Sequence, residues 1–268
     1  MATPAIAKDN SGPLTIGRFH TEWTHDAERR VNVVLPAGYN TGEKQYPLIL
    51  MLDGGTEQDL YLALGAQKWN QLWQRSEPAI FVGIETVDHQ RELLPQSTVA
   101  AEKERFPTAG ESAEFRDWLS NKILPKLRQL YRDDGRAFLI GESAAGHFVA
   151  ETWFVEPDLF SGYAAISPSL QWDNQALARK VGQARPVQRP KLYISLANEG
   201  GKTEGGVERL VSATDASICF SDRRDELAHA NALHGLLPEA LQYLLPTDAD
   251  WLDDFGLVLR CASSTPSK

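Results

Sequence analysis

A chain of 268 residues with 42% hydrophobic and 24% charged side chains can bury one sizeable core and keep an ordinary globular surface. Its net charge of −9 argues against nucleic acid or an anionic membrane as partner, since both draw on a basic surface. No apolar run reaches the roughly 20 residues that cross a bilayer, and MATPAIAKDNSGPLTIG lacks the basic start and apolar stretch of a secretory signal, so a cytoplasmic location is expected. Of the two cysteines, Cys219 falls in a predicted buried strand and is expected as a structural thiol, while Cys261 falls in the polar tail.

In chain order, LTIGRFHTEW and RRVNVVLP alternate polar and apolar residues around the turn-like HDAE and predict an antiparallel pair. From about Pro47, short apolar runs alternate with longer amphipathic stretches, the pattern of an α/β protein with a mostly parallel central sheet of about eight strands flanked by helices. The strand candidates are Pro47 to Asp53, Ala79 to Glu85, Ala137 to Gly141, Gly162 to Ser167, Lys191 to Ala197 and Ser217 to Ser221. Phe115, Trp118, Leu119, Ile123, Leu127 and Leu130 recur at helical spacing within Glu111 to Tyr131, with a kink expected at Pro125. Leu237 to Leu245 is expected as a closing helix with Pro238 at its first position. Residues 86–110 have neither strand nor helix periodicity and are expected as a long loop overhanging the carboxyl edge of the sheet. Residues 1–13 then form an N-terminal extension, 14–255 a single domain, and 256–268 a flexible tail.

The run AFLI followed by GESAAG places Ser143 where a buried strand ends and a helix begins, the setting of a nucleophile elbow. A spaced Gly, Ser, Gly triple arises by chance in roughly one chain in ten of this size, so the flanking strand and helix carry the assignment. Ala145 stands where the strict motif has its second glycine, and Gly146 follows. A serine hydroxyl needs a base, which in this order of elements comes late. His20, His25, His89 and His147 suit surface or packing roles, whereas His229 and His234 lie between the last strand and the closing helix; His229 is favoured. The acid that orients the imidazole belongs after the strand ending at Ala197, where Glu199 is placed best. Glu204 is weaker, Asp222 and Asp225 precede His229 too closely, and a serine-histidine dyad without a fixed acid is the alternative. Oxyanion donors are expected from the N–H of Ala144 and from the turn at Asp53, Gly54 and Gly55, with Gly54 the named donor. No pattern points to a metal or a cofactor.

PLILMLDGG, VGIETVDHQRELLP, FLIGESAAGHFVAE, EPDLFSGYAAISPSLQWDN and HANALHGLLPEALQYLL together resemble the esterase branch of the α/β-hydrolases. That branch includes ferric siderophore trilactone esterases acting on enterobactin, salmochelin or bacillibactin, S-formylglutathione hydrolase and the mycolyltransferases. The resemblance covers about Leu14 to Leu245, and Pro157, Phe160, Ser167, Pro168, Ser169 and Trp172 carry its most specific part. It implies Ser143 as nucleophile, His229 as base and a small-molecule ester as substrate, either a siderophore-type lactone or another aryl or acyl ester. Where siderophore-esterase-like members read Arg-x-Arg-Asp-Leu-Thr-Pro, this chain has His89, Gln90, Arg91, Glu92, Leu93, Leu94 and Pro95. His89, Arg91 and Trp172 are therefore the substrate-binding candidates, with one arginine lost at His89, which weakens the case for an anionic triscatecholate. A thioesterase or acyltransferase would use the same nucleophile, and a non-catalytic binding protein on the same fold is the reading from another class. Oligomeric state is left open.

Overall fold

Residues buried on both faces of a sheet need apolar side chains at every position, and the central runs meet that demand. The computed structural model describes residues 16–23, 26–184, 188–214 and 218–261. The chain starts with β1 (Gly17–Trp23) and β2 (Asp26–Val34), then β3 (Tyr46–Leu52), α1 (Leu60–Leu72) and β4 (Ile80–Ile84). Three short helices follow, α2 (His89–Leu93), α3 (Ala100–Arg105) and α4 (Ser112–Trp118), then α5 (Leu124–Leu130), β5 (Asp133–Glu142) and α6 (Ser143–Val155). The remainder is β6 (Gly162–Ile166), α7 (Trp172–Gln183), β7 (Lys191–Leu196), α8 (Gly201–Ser212), β8 (Ile218–Asp222) and α9 (His229–Leu244). The strands form one sheet in the order β1-β2-β4-β3-β5-β6-β7-β8, with β2 antiparallel to both its neighbours and every later pairing parallel.

Every residue of β3, β4 and β6 is buried, whereas β1 at the edge alternates. Side-chain alternation divides the core in two. Leu48, Leu50 and Leu52 pack with Phe115, Trp118, Phe148, Trp153, Leu177 and Leu210 from α4, α6, α7 and α8. Ile49, Met51, Phe81 and Ile140 pack on the other face with Leu60, Leu64, Leu233, Leu237 and Leu241 from α1 and α9.

Four expectations change. The expected loop 86–110 contains α2 and α3. It is held from beneath by the fully buried Glu92, which pairs with both terminal nitrogens of Arg29 and accepts N–H bonds from Val87 at 3.1 Å and Asp88 at 2.8 Å. The long helix is interrupted by a π-type turn at Leu119–Ile123, where the N–H of Leu124 reaches back to the carbonyl of Leu119; Pro125, which has no N–H to give, sits in the first turn of α5. The closing helix starts at His229 rather than Leu237, because Ala232, Leu233, Leu236 and Leu237 already extend its apolar stripe, and Pro238 lies inside it. Asn70 Nδ2 donates to the Pro238 carbonyl at 2.8 Å.

The fourth change concerns the cysteines. Cys219 is bonded to Cys261 across a sequence separation of 42, so neither is a thiol and the polypeptide beyond α9 returns to β8. In the chain-entropy account, closing a loop of that length stabilises the fold by about 4 kcal/mol. The expected tail, 256–268, is therefore tethered at Cys261; residues 262–268, the N-terminal extension and the predicted strand start at Ser217 lie outside the described residues. Among the described residues, no helix is long and apolar enough to cross a membrane.

Candidate active site

β5 delivers Ser143, and α6 begins on it. Ser143 has φ 57, in the left-handed region, and a non-glycine residue there costs on the order of 1–3 kcal/mol. The neighbours of that turn must be small. A Cβ on Gly141 would stand 2.6 Å from the backbone carbon of Ala145, and one on Gly146 would stand 2.9 Å from the carbonyl oxygen of Ile166. Close approach of β5, α6 and β6 thus explains why GESAAG carries almost no side-chain bulk after the serine.

The late histidine arrives from the opposite side. Asn198, just after β7, donates its N–H to the carbonyl of Leu227 at 2.7 Å and bridges to Ala228, so the end of β7 and the entry to α9 are held together. Glu199 and His229 consequently face each other. Ser143 Oγ lies 3.1 Å from His229 Nε2, and His229 Nδ1 lies 2.8 Å from Glu199 Oε1. The carboxylate of Glu199 is buried, and the imidazole is partly open to solvent. The Glu199 hydrogen bond raises the His229 pKa above its ordinary 6.5, against the opposing effect of burial, and the Glu199 and Glu142 charges add to the rise.

His234, the other base candidate, is exposed further along α9. Glu204 and Asp222 pair with Arg224, and Asp225 is exposed on the turn before α9, so the structure brings Glu199 alone of the acid candidates to the imidazole. His147 is buried within α6, as a packing residue. The N–H of Ala144 is in the first turn of α6, where backbone donors have no intrahelical acceptor.

The expected Gly54 donor is corrected. Its N–H donates to the carbonyl of Ile84 at 2.8 Å, and a Cβ there would stand 2.3 Å from the Cα of Gly83, so this glycine serves close packing between the ends of β3 and β4. The Gly55 N–H donates to Gln58 Oε1 at 2.9 Å, and Gln58 Nε2 donates to the carbonyl of Thr86 at 2.9 Å. The binding candidates also separate. His89 Nδ1 is 2.9 Å from Asp53 Oδ1, which also accepts from the Thr86 hydroxyl. Burial works against its charge, but the hydrogen bond and charge of Asp53 outweigh it, leaving the His89 pKa raised. Arg91 faces Asp88 at 3.6 Å and Glu111 at 3.8 Å. Trp172 is buried, donates its indole N–H to the carbonyl of Pro95 at 2.9 Å and lies 5.9 Å from the Phe106 ring, so it braces the 86–110 segment instead of lining the site.

A cavity of about 350 Å³ at Ser143 is lined by that residue, His229, Glu199, Ser167, Ser169, Gln171, Asn198 and Thr203. Sequence reasoning missed Ser169 as a site residue. Its N–H donates to the Ser143 carbonyl at 2.9 Å and its Oγ is 3.3 Å from Ser143 Oγ. The signal was present in ISPSLQWD, directly after β6, where a residue at a strand's carboxyl end reaches the same edge as the nucleophile. Glu142 was also missed: it accepts the Leu233 N–H at 3.3 Å and its charge acts on His229. Among the described residues, no group of three or more histidine, cysteine, aspartate or glutamate side chains is arranged to hold a metal ion.

Known proteins share this architecture. An IroE-like serine hydrolase from Shewanella oneidensis superposes with a TM-score of 0.74 at 21% identity, over 87% of this chain and 80% of that one. The siderophore hydrolase EstB from Aspergillus nidulans superposes with a TM-score of 0.71 at 17% identity, over 92% and 99%. In sequence, the chain is 28% identical over 116 residues to the ferri-bacillibactin esterase BesA of Bacillus subtilis, covering 38% of this chain and 40% of that protein. Residues 24–214, well over half of the chain, match the family described as "Putative esterase". The protein therefore belongs to that esterase family and is a carboxylic ester hydrolase of the α/β-hydrolase fold.

Proposed function

We propose that Ser143 is the nucleophile of a serine esterase acting through a covalent acyl-enzyme. The observation that carries this reading is the unbroken line from Ser143 Oγ through His229 to Glu199, with spacings of 3.1 and 2.8 Å. The Ser143 hydroxyl donates to Nε2 and the Nδ1–H donates to Glu199, which fixes the tautomer needed for proton removal. Attack on the ester carbonyl forms a C–O bond as His229 takes the proton. The developing oxyanion meets the Ala144 N–H at the positive end of α6. Collapse breaks the bond to the leaving alcohol, which receives the proton from His229, and water repeats the sequence on the acyl-enzyme. A single domain carries all of these groups, and the substrate is a small-molecule ester. Thioester hydrolysis or acyl transfer would use the same line of residues, and single-turnover trapping with oxygen and sulfur esters separates them.

A fluorophosphonate probe tests the nucleophile. Wild-type protein is expected to gain one adduct on Ser143, and Ser143→Ala none; equal labelling of both would overturn the reading. The rate has a pH signature as well. Only the neutral imidazole can accept the serine proton, and the His229 pKa is raised, so kcat/KM is expected to fall as pH drops through a value above 6.5. The linked stability has the opposite sense: the charged His229 and Glu199 pair stabilises the fold at low pH, and that contribution is lost as pH rises through the same value. An acid limb at or below 6.5 in the kcat/KM profile would contradict this.

A further inference from the structure

The groups around Ser143 together restrict the charge of what can be cleaved. On the cavity side, Ser169, Gln171, Asn198 and Thr203 present hydroxyl and amide groups, and no lysine or arginine lies among the lining residues. The Thr203 hydroxyl donates to Gln171 Oε1 at 3.0 Å, so this wall is an organised set of neutral donors and acceptors.

Carboxylates also stand around the nucleophile, Glu199 among the residues that line the cavity itself. Glu142 directly precedes Ser143, and Asp53, just after β3, is held to Asp59, the residue before α1, by the Asp59 N–H donating to the Asp53 carbonyl at 3.0 Å. Burial, then the charge of Asp53, holds Asp59 above its ordinary carboxylate pKa, although His234 and His89 act against the rise. Burial likewise raises Glu142, where the His229 charge opposes and that of Asp59 adds. Carboxylates that disturb one another in this way set up a negative field over the intervening space.

Three nearby cations already have acidic partners, and Lys202, beside Thr203 on α8, is exposed and does not line the cavity. His89 is bonded to Asp53, Arg91 stands between Asp88 and Glu111, and Arg224 contacts Asp222, Glu204 and Glu208. An anionic group brought beside the scissile bond would meet carboxylates and no lysine or arginine on the cavity wall, whereas a neutral polar group would find partners there.

We infer that the site takes esters whose groups next to the scissile bond carry no negative charge, the wall at Gln171 and Thr203 supplying neutral hydrogen bonds and the carboxylates of Glu199 and Glu142, with Asp59 behind them, repelling anions. The inference rests on Ser143 being the esterase nucleophile and adds a charge preference to it. It distinguishes this chain from an esterase built for polyanionic ligands.

Three aryl esters of equal chain length, with acyl chains ending in a hydroxyl, a carboxylate or an ammonium group, test it with the whole protein at low salt. The carboxylate ester is expected to have kcat/KM at least about tenfold below the hydroxyl ester, and the ammonium ester to match or exceed the hydroxyl ester. Added salt should narrow the carboxylate gap, and Gln171→Arg should raise the carboxylate ester selectively. A gap smaller than about tenfold at low salt overturns the inference. So does an ammonium ester as poor as the carboxylate ester, because the penalty would then follow charge of either sign. Failure of all three esters would overturn the esterase reading itself, which turnover of the hydroxyl ester alone upholds.

Discussion

His229→Ala is expected to lower kcat on a neutral aryl ester by about 10⁵- to 10⁶-fold, and Ser143→Ala by a similar amount. In the proposed mechanism the two groups act as one device: without the imidazole the serine proton has no acceptor 3.1 Å away, and without the hydroxyl the imidazole has nothing to activate. The double substitution should therefore cost little more than either alone. Glu199→Gln keeps the shape but no longer holds a charge against Nδ1, and a loss of about 10⁴-fold in kcat is expected. His234→Ala is the internal control. Its side chain is exposed on α9, and steady-state kinetics should find kcat within about threefold of wild type. Loss of turnover in His234→Ala with retention in His229→Ala would reverse the assignment.

Glu92→Ala is expected to destabilise the fold by about 3–5 kcal/mol, read as a shift of the chemical denaturation midpoint. Both members of the Arg29 and Glu92 pair are fully buried, and the guanidinium lies 5.0–5.6 Å from the ring centroids of Trp23, Phe115 and Trp118. Removing the carboxylate leaves a cation among aromatic rings and releases the Val87 and Asp88 N–H groups that Glu92 accepted. The damage should extend to the site, since α2, which bears His89, begins directly after Asp88. Limited proteolysis is expected to cut first within 86–110 in the variant. Replacing both partners by apolar residues, Arg29→Met with Glu92→Leu, should recover most of the loss because no charge is then stranded. A Glu92→Ala midpoint shift worth less than about 1 kcal/mol would mean that the pair does not anchor the segment.

The parallel strands were legible because burial on both faces writes itself as a continuous apolar run, and β3, β4 and β6 obey that without exception. Ser143, His229 and Glu199 could be read as candidates because each follows a strand on the same sheet edge, so their order along the chain predicts that they meet. What escaped depends on contacts distant in sequence. Helices as short as α2 and α3 cannot display a period, and the Glu92 bond that seats α2 reaches 63 residues back to Arg29. Gly54 looked like a donor because glycine suits a tight turn; that its N–H belongs to Ile84 follows only from the packing of β3 on β4. Trp172 follows a strand as a site residue would, but its indole turns into the 86–110 segment. Pro238 misplaced the start of α9, since proline is common in first helical turns and position alone does not reveal an interior one.

The Cys219–Cys261 bond also makes the protein a recorder of where it matured. Such bonds persist in oxidising compartments and are rare in a reducing cytosol, so a cytoplasmic address and an intact cross-link pull in opposite directions. The sequence contains only these two cysteines, which leaves no other thiol to confuse the record. Protein taken from its native cells into acid, unfolded and treated with a maleimide would carry two adducts if it had lived among reductants, and none if it had been exported before folding was complete.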